Sequence, residues 1–118
     1  MGPYEVIFYE KQDGTRPVEE FLDSIDGKLA AKIVSDMRIL AASGPATREP
    51  HSKELEDEIF ELRSKQGSNI SRVLYFFYVG RKIVLTNGFI KKTVKTPESE
   101  KKKAKQYRAD YLRRCGQT

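Results

Sequence analysis

Residues 70–79 read ISRVLYFFYV, from Ile70 to Val79. Apolar residues fall on both parities of this run, so the strand it predicts must be covered on both faces. Such a strand belongs in the middle of a sheet. Turn signals flank it on each side: Gln66-Gly67-Ser68-Asn69 before, Gly80-Arg81 after, both suited to reversing the chain. Ahead of the first turn, Ile59 to Arg63 alternates, with Phe60 and Leu62 on one side and Ile59, Glu61 and Arg63 on the other. Past the second turn, Lys82 to about Lys92 forms another strand, in which Gly88 marks a bulge or a close backbone approach.

Further out, Tyr4 to Tyr9 (YEVIFY) is β-rich and alternating, and is closed by Asp13-Gly14. Pro17 then opens a helix with Glu19 and Glu20 in its first turn and Val18, Phe21, Leu22 and Ile25 on one stripe. Asp26-Gly27 breaks it, and a second helix runs to about Ala42 with Leu29, Ile33, Met37 and Leu40 on its apolar face. Gly44-Pro45 ends that helix, and a loop to about Pro50 follows. Two helices joined this tightly predict an antiparallel pair on one sheet face. At the other end, Thr96-Pro97-Glu98 carries a cap, a first-position proline and an acidic first turn. Ala104, Tyr107, Tyr111 and Leu112 form the stripe of the basic helix that follows. The expected fold is therefore α+β: a small antiparallel sheet in the order β-α-α-β-β-β-α, with helices packed on it.

The chain has 118 residues, 38% hydrophobic and 33% charged, enough for one domain spanning 1–118 and one core. No apolar run approaches a membrane span, and the N-terminus lacks the pattern of a signal peptide, so a cytoplasmic protein without membrane contact is expected. One Cys and one His exclude a disulfide framework and a Cys/His metal cluster within the chain. The net charge of +5 is unevenly divided: residues 1–62 hold 7 Lys/Arg against 14 Asp/Glu, whereas residues 63–118 hold 15 against 3. A surplus of that size in the second half points to a polyanion or an acidic partner.

Several enzyme chemistries fall away. There is no phosphate-binding GxxxxGK[ST] loop and no GxGxxG. A nucleophile pair would have to join Cys115, near the end, to His51 in a loop, and a lone His51 lacks a second histidine as general acid. Glu54, Glu56, Asp57, Glu58 and Glu61 crowd one short segment, which reads as a solvated loop entering a strand rather than a two-metal site. The informative residues are basic. Arg63 and Arg72 flank one turn, and the last strand returns Lys91-Lys92, with Lys95 just beyond, to the same sheet end. Convergent cations bind phosphodiester backbone and lower the pKa of any lysine among them. A lysine shifted towards neutrality can take a proton from a ribose 2′-OH while arginines stabilise the phosphorane, so RNA cleavage is available without metal or cofactor. A plain phosphate-binding surface explains the same residues.

The run from Ile59 to Tyr111 resembles the RelE/ParE superfamily of bacterial toxins, and within it the phage-derived HigB-like branch of type II toxin–antitoxin modules. The resemblance rests on Glu61-Leu62-Arg63, on RVLYF at Arg72 to Phe76, on GFIKKTVKTP from Gly88 to Pro97, and on Glu98 and Glu100 opening the last helix. It implies a RelE-like fold and a metal-independent endoribonuclease that cuts mRNA, in many members only on the ribosome, and thereby inhibits translation. Arg72 then matches the strand arginine that contacts the scissile phosphate, and Lys92 with Lys91 the basic pair at the strand end. Arg63 and Lys95 are supporting cations, with Lys65 and Lys101-Lys102-Lys103 as further RNA contacts. Tyr107 and Tyr111 are candidates for acting on a base, or else core residues. The implied partners are a helix-turn-helix antitoxin, mRNA and the ribosome, with DNA reached only through the antitoxin complex. Two other readings remain: a ParE-like gyrase inhibitor without nuclease activity, and a non-catalytic RNA-binding module using Tyr75, Phe77 and Tyr78 as stacking platforms.

Overall fold

The computed structural model describes residues 3–47, 51–91 and 95–115. The apolar run expected at the centre is there: β4 (Asn69–Tyr78) is the middle strand of five, in the order β1-β5-β4-β3-β2. Its neighbours are β3 (Ile59–Gln66) and β5 (Lys82–Ile90), both antiparallel to it. Val73 and Tyr75 face one cluster of buried residues, and Leu74 and Phe76 the other. The first cluster is roofed by α1 (Pro17–Ser24) and α2 (Gly27–Ser43), the second by α3 (Glu98–Cys115). As expected, the chain is an α+β domain with helices on its sheet, as in a RelE-like fold.

Local chemistry places these helices. Pro17 opens α1, where its missing N–H costs nothing. Asp26 caps α2, its carboxylate accepting the Lys28 N–H at 3.0 Å. Gly44, at φ +54, stops α2, and its α-carbon lies so close to the Tyr4 ring that a side chain there would clash. A short 3₁₀ turn, Gly44–Ala46, follows.

Two features depart from the expected topology. β1 (Glu5–Phe8) pairs parallel with β5, Glu5 opposite Lys82 and Phe8 opposite Leu85, so the sheet is mixed. No hairpin fixes the direction of β1; the next strand in sequence lies at the opposite edge of the sheet, across two helices. That next strand is the second departure. β2 (Ser52–Glu56) precedes β3 and forms the other edge, with a register irregularity between Glu54 and Glu56. Its sequence, SKELE, offers one apolar residue, because an edge strand with little to bury needs no more. The stripe on α3 is also narrower than expected. Ala104, Tyr107 and Tyr111 join the core, while Leu112 remains 40% exposed, a further 100° around the helix.

The irregularity anticipated at Gly88 falls two residues earlier. Leu74 pairs with Asn87 and Tyr75 with Leu85, which leaves Thr86 as the extra residue of a bulge. Gly88 is instead the close approach, because a β-carbon there would lie 2.5 Å from Phe21 Cδ2. We predict that Gly88→Ala lowers unfolding free energy by about 1–3 kcal/mol through this overlap, and that adding Phe21→Leu recovers part of the loss. Urea denaturation of the two single variants and the double variant measures this.

The β2–β3 turn holds Asp57 and Glu58 at φ 50 and 62, the left-handed conformation that two-residue hairpins demand and side chains resist. Lys105 binds the Asp57 carboxylate at 2.9 Å, and Arg108 donates to its carbonyl. Glu58 is exposed. Glu58→Gly is therefore expected to raise stability by about 1 kcal/mol, seen as a melting temperature higher by a few degrees.

Candidate functional site

At the end of the sheet where β3 turns into β4, side chains from four strands point to the α3 face. Arg63 sits directly opposite Arg72 in the β3–β4 register. Lys53 of β2 sits opposite Glu61 of β3. Lys91, just beyond β5, is tied to β4 by its N–H on the Ile70 carbonyl at 2.7 Å. The sequence-based expectation that Arg63, Arg72 and Lys91 share one sheet end therefore holds. Lys92 lies outside the described residues.

Two arginines facing each other across a strand pair repel. Glu61, fully buried, resolves this. Arg72 Nη1 donates to its Oε2 at 2.5 Å and Arg63 Nε to the same oxygen at 2.9 Å, while the Thr96 hydroxyl donates to Oε1 at 2.6 Å. Burial by itself would push this carboxyl up. The hydrogen bonds from Arg72, Thr96 and Arg63 outweigh it and hold Glu61 below the ordinary carboxylate value.

The two arginines end in different positions. Arg72 is only 3% exposed, its Nη1 also 3.4 Å from Thr96 Oγ1 and its Nε buried without a hydrogen-bond partner. Its guanidinium faces Glu61, not solvent. Arg63 uses one nitrogen on Glu61 and keeps 26% of its side chain exposed. Lys91 is partly exposed; desolvation, then the charges of Arg72 and Arg63, lower its ammonium pKa, with Glu61 opposing and Lys53 adding to the effect. α3 begins at Glu98, two residues after Thr96, so its positive end adds to the same field.

The remaining basic candidates divide. Lys65 is exposed on the same parity of β3 as Arg63, extending the cationic row, and Lys95 is exposed beside Thr96. Lys102 and Lys103 are exposed on α3, Lys103 lying 3.8 Å from Glu100. Lys101 is drawn inward, bridging Glu56 at 3.1 Å and Glu98 at 2.8 Å. Burial in the core explains Tyr75, which is 1% exposed, and ring contacts account for the other aromatics. Tyr107 stacks on Tyr9 with centroids 4.8 Å apart, Tyr111 packs edge-on to Phe76 and Tyr78, and Phe77 packs edge-on to Phe60.

Two members of the site, Lys53 and Glu61, were not anticipated. Lys53 lies on the strand that SKELE concealed. In sequence Glu61 reads with four other acids as a solvated loop, and the structure corrects this: it is fully buried. Glu56 and Asp57 clamp Lys101 and Lys105 of α3, while Glu61 sits beneath two arginines. The available signal was parity, because Glu61 and Arg63 share a face with the buried Ile59. Thr96, expected as a helix cap, gives its hydroxyl to Glu61 instead. His51 borders the site, its carbonyl accepting the Arg63 N–H at 2.7 Å, whereas Cys115 ends α3.

A carboxylate whose pKa is depressed on folding contributes stability that is present above its unfolded value, near 4.5, and lost as pH falls through the folded one. We predict that Glu61→Gln costs roughly 3–5 kcal/mol at pH 7, by leaving two arginines without their counter-charge. Its stability should also fall less steeply than the parent's below pH 4.5, which chemical denaturation across pH 3–7 measures.

Comparison with known proteins adds an independent line. No curated protein matches the chain. The family model described as "Phage derived protein Gp49-like (DUF891)" matches residues 20–109, a span that includes most of α1, all of α2 and of β2–β5, and most of α3. The chain therefore belongs to this phage-derived, toxin-like family.

Proposed function

We propose that the protein is the toxin of a type II toxin–antitoxin module and acts as a ribosome-dependent, metal-independent endoribonuclease on mRNA. The observation that carries this reading is the convergence of Lys53, Arg63, Arg72 and Lys91 around one buried carboxylate, in a chain of a toxin-like family. Four cations against one anion leave a surplus suited to a phosphodiester.

In this reading Lys91 takes the ribose 2′-OH proton, since its ammonium is already destabilised by its neighbours. The 2′-oxygen attacks phosphorus, and Arg63 and Lys53 stabilise the charge that develops on the phosphorane oxygens. The 5′-oxygen departs and takes a proton from water, leaving a 2′,3′-cyclic phosphate and a 5′-hydroxyl. Arg72 is a positioning residue, acting through Glu61 to aim Arg63. Lys92 and Lys95 are supporting cations in this reading, and Lys65, Lys102 and Lys103 track the RNA backbone. A lysine is a modest base, so the ribosome's part is to hold the mRNA in a reactive geometry. The partner is an antitoxin with a helix-turn-helix domain.

Primer extension on a defined mRNA, with and without programmed ribosomes and in EDTA, tests this. Parent protein should cut only with ribosomes, and Arg63→Ala or Lys91→Ala should reduce cutting by about 10²-fold or more. Equal cutting by folded variants, or no cutting by the parent, would overturn the reading and make gyrase the next target.

A further inference from the structure

The lysines of this protein differ in what they face. Lys101 and Lys105 are held by Glu56, Glu98 and Asp57, Lys32 by Asp36, and Lys103 stands 3.8 Å from Glu100. Lys91 has the opposite surroundings. It has no ion-pair partner among the described residues, and the charges that act on it are Arg72, Arg63 and Lys53 against one acid, Glu61. That acid is already committed, since its oxygens accept from Arg72, Arg63 and Thr96. Desolvation, then the charges of Arg72 and Arg63, therefore disfavour the ammonium form. A lysine destabilised in this way spends more of its time as a neutral amine, and a neutral amine is a nucleophile.

Beside this amine stand groups that bind an anion. Arg63 reaches Glu61 through Nε, and among the described residues its two terminal nitrogens have no hydrogen-bond partner. They form the fork that matches two phosphoryl oxygens. Lys53, exposed on the neighbouring strand opposite Glu61, adds a second charge. A nucleophilic amine and a phosphate-binding fork on one small, partly exposed surface fit a molecule whose acyl carbon is bonded to a phosphoryl oxygen.

We propose that Lys91 is a modification site for acyl phosphates and that its acylation switches the site off. Arg63 and Lys53 hold the phosphoryl oxygens, which brings the acyl carbon to Lys91 Nζ. The nitrogen lone pair attacks that carbon and a C–N bond forms. The bond from the carbon to the bridging oxygen breaks, its electron pair leaving with inorganic phosphate, and the nitrogen gives a proton to water. The product is an Nε-acyl-lysine, an amide with neither the charge nor the basic lone pair of the amine. The acylation stands on the cluster alone, whereas its effect on cleavage rests on the nuclease function proposed above.

The full-length protein is exposed to acetyl phosphate for set times, and acetylation of each lysine is read by peptide mass spectrometry. Lys91 should react about tenfold or more faster than the exposed Lys102. Excess inorganic phosphate, at constant ionic strength, should remove most of that preference. Arg63→Ala should do the same, as should Lys53→Ala if Arg63→Ala does not fold. A phosphate-free acyl donor, p-nitrophenyl acetate, should show a preference about tenfold smaller. Equal rates at Lys91 and Lys102, a preference that phosphate or the folded variants leave unchanged, or the same preference with p-nitrophenyl acetate would overturn the proposal. Protein acetylated at Lys91 should cut mRNA on ribosomes as poorly as Lys91→Ala, and parental cutting by it would overturn the switch. A parent that never cuts would instead overturn the nuclease reading, with the acetylation pattern still deciding the chemistry of Lys91.

Discussion

Arg63 and Arg72 face one another across adjacent strands, and the site depends on the carboxylate that makes this tolerable. Glu61 is on the same strand as Arg63, two residues earlier, so the β3 pleat delivers both to one face. Because its hydrogen bonds come from β3, β4 and the residue ahead of α3, Glu61 joins three segments that are far apart in sequence. Removing a buried charge from such a group is costly, and keeping it is worthwhile chiefly for the geometry it imposes.

The same constraint sets the place of α3. Thr96 fixes the approach to its first turn, and Asn87 Nδ2 reaches Glu100 Oε1 at 2.9 Å from the β5 bulge. Further along, Lys101 and Lys105 meet Glu56, and at the far end Tyr9 gives its hydroxyl to Asp110 at 2.5 Å. Burial, then the bond to Asp110, lifts the Tyr9 phenol to about 12. The acids of the first half of the chain thus neutralise part of the basic helix.

Much of this was legible in the sequence. The two-sided apolar run fixed β4 as central, and turn signals on either side fixed β3 and β5. Those two hairpins are what bring Arg63, Arg72 and Lys91 together, so the convergence of these cations is legible in the spacing of the turns. β2 was not legible because an edge strand made largely of charged residues has almost no hydrophobic pattern. Lys53 was lost with it. The parallel pairing of β1 was hidden because no turn encodes it. The role of Glu61 was obscured by its four acidic neighbours in sequence, although its parity with Ile59 placed it on a covered face.

In the function proposed above, Glu61 and Arg72 aim the exposed cations as well as joining segments of the fold. Replacing the pair by apolar side chains of similar volume, Glu61→Leu with Arg72→Met, separates the two roles, since such exchanges often preserve stability. The measurement is ribosome-programmed mRNA cleavage by this double variant, alongside its urea denaturation. A folded protein of near-parental stability whose cleavage falls by about 10²-fold or more is expected. A folded double variant that cuts at the parental rate would contradict the aiming role.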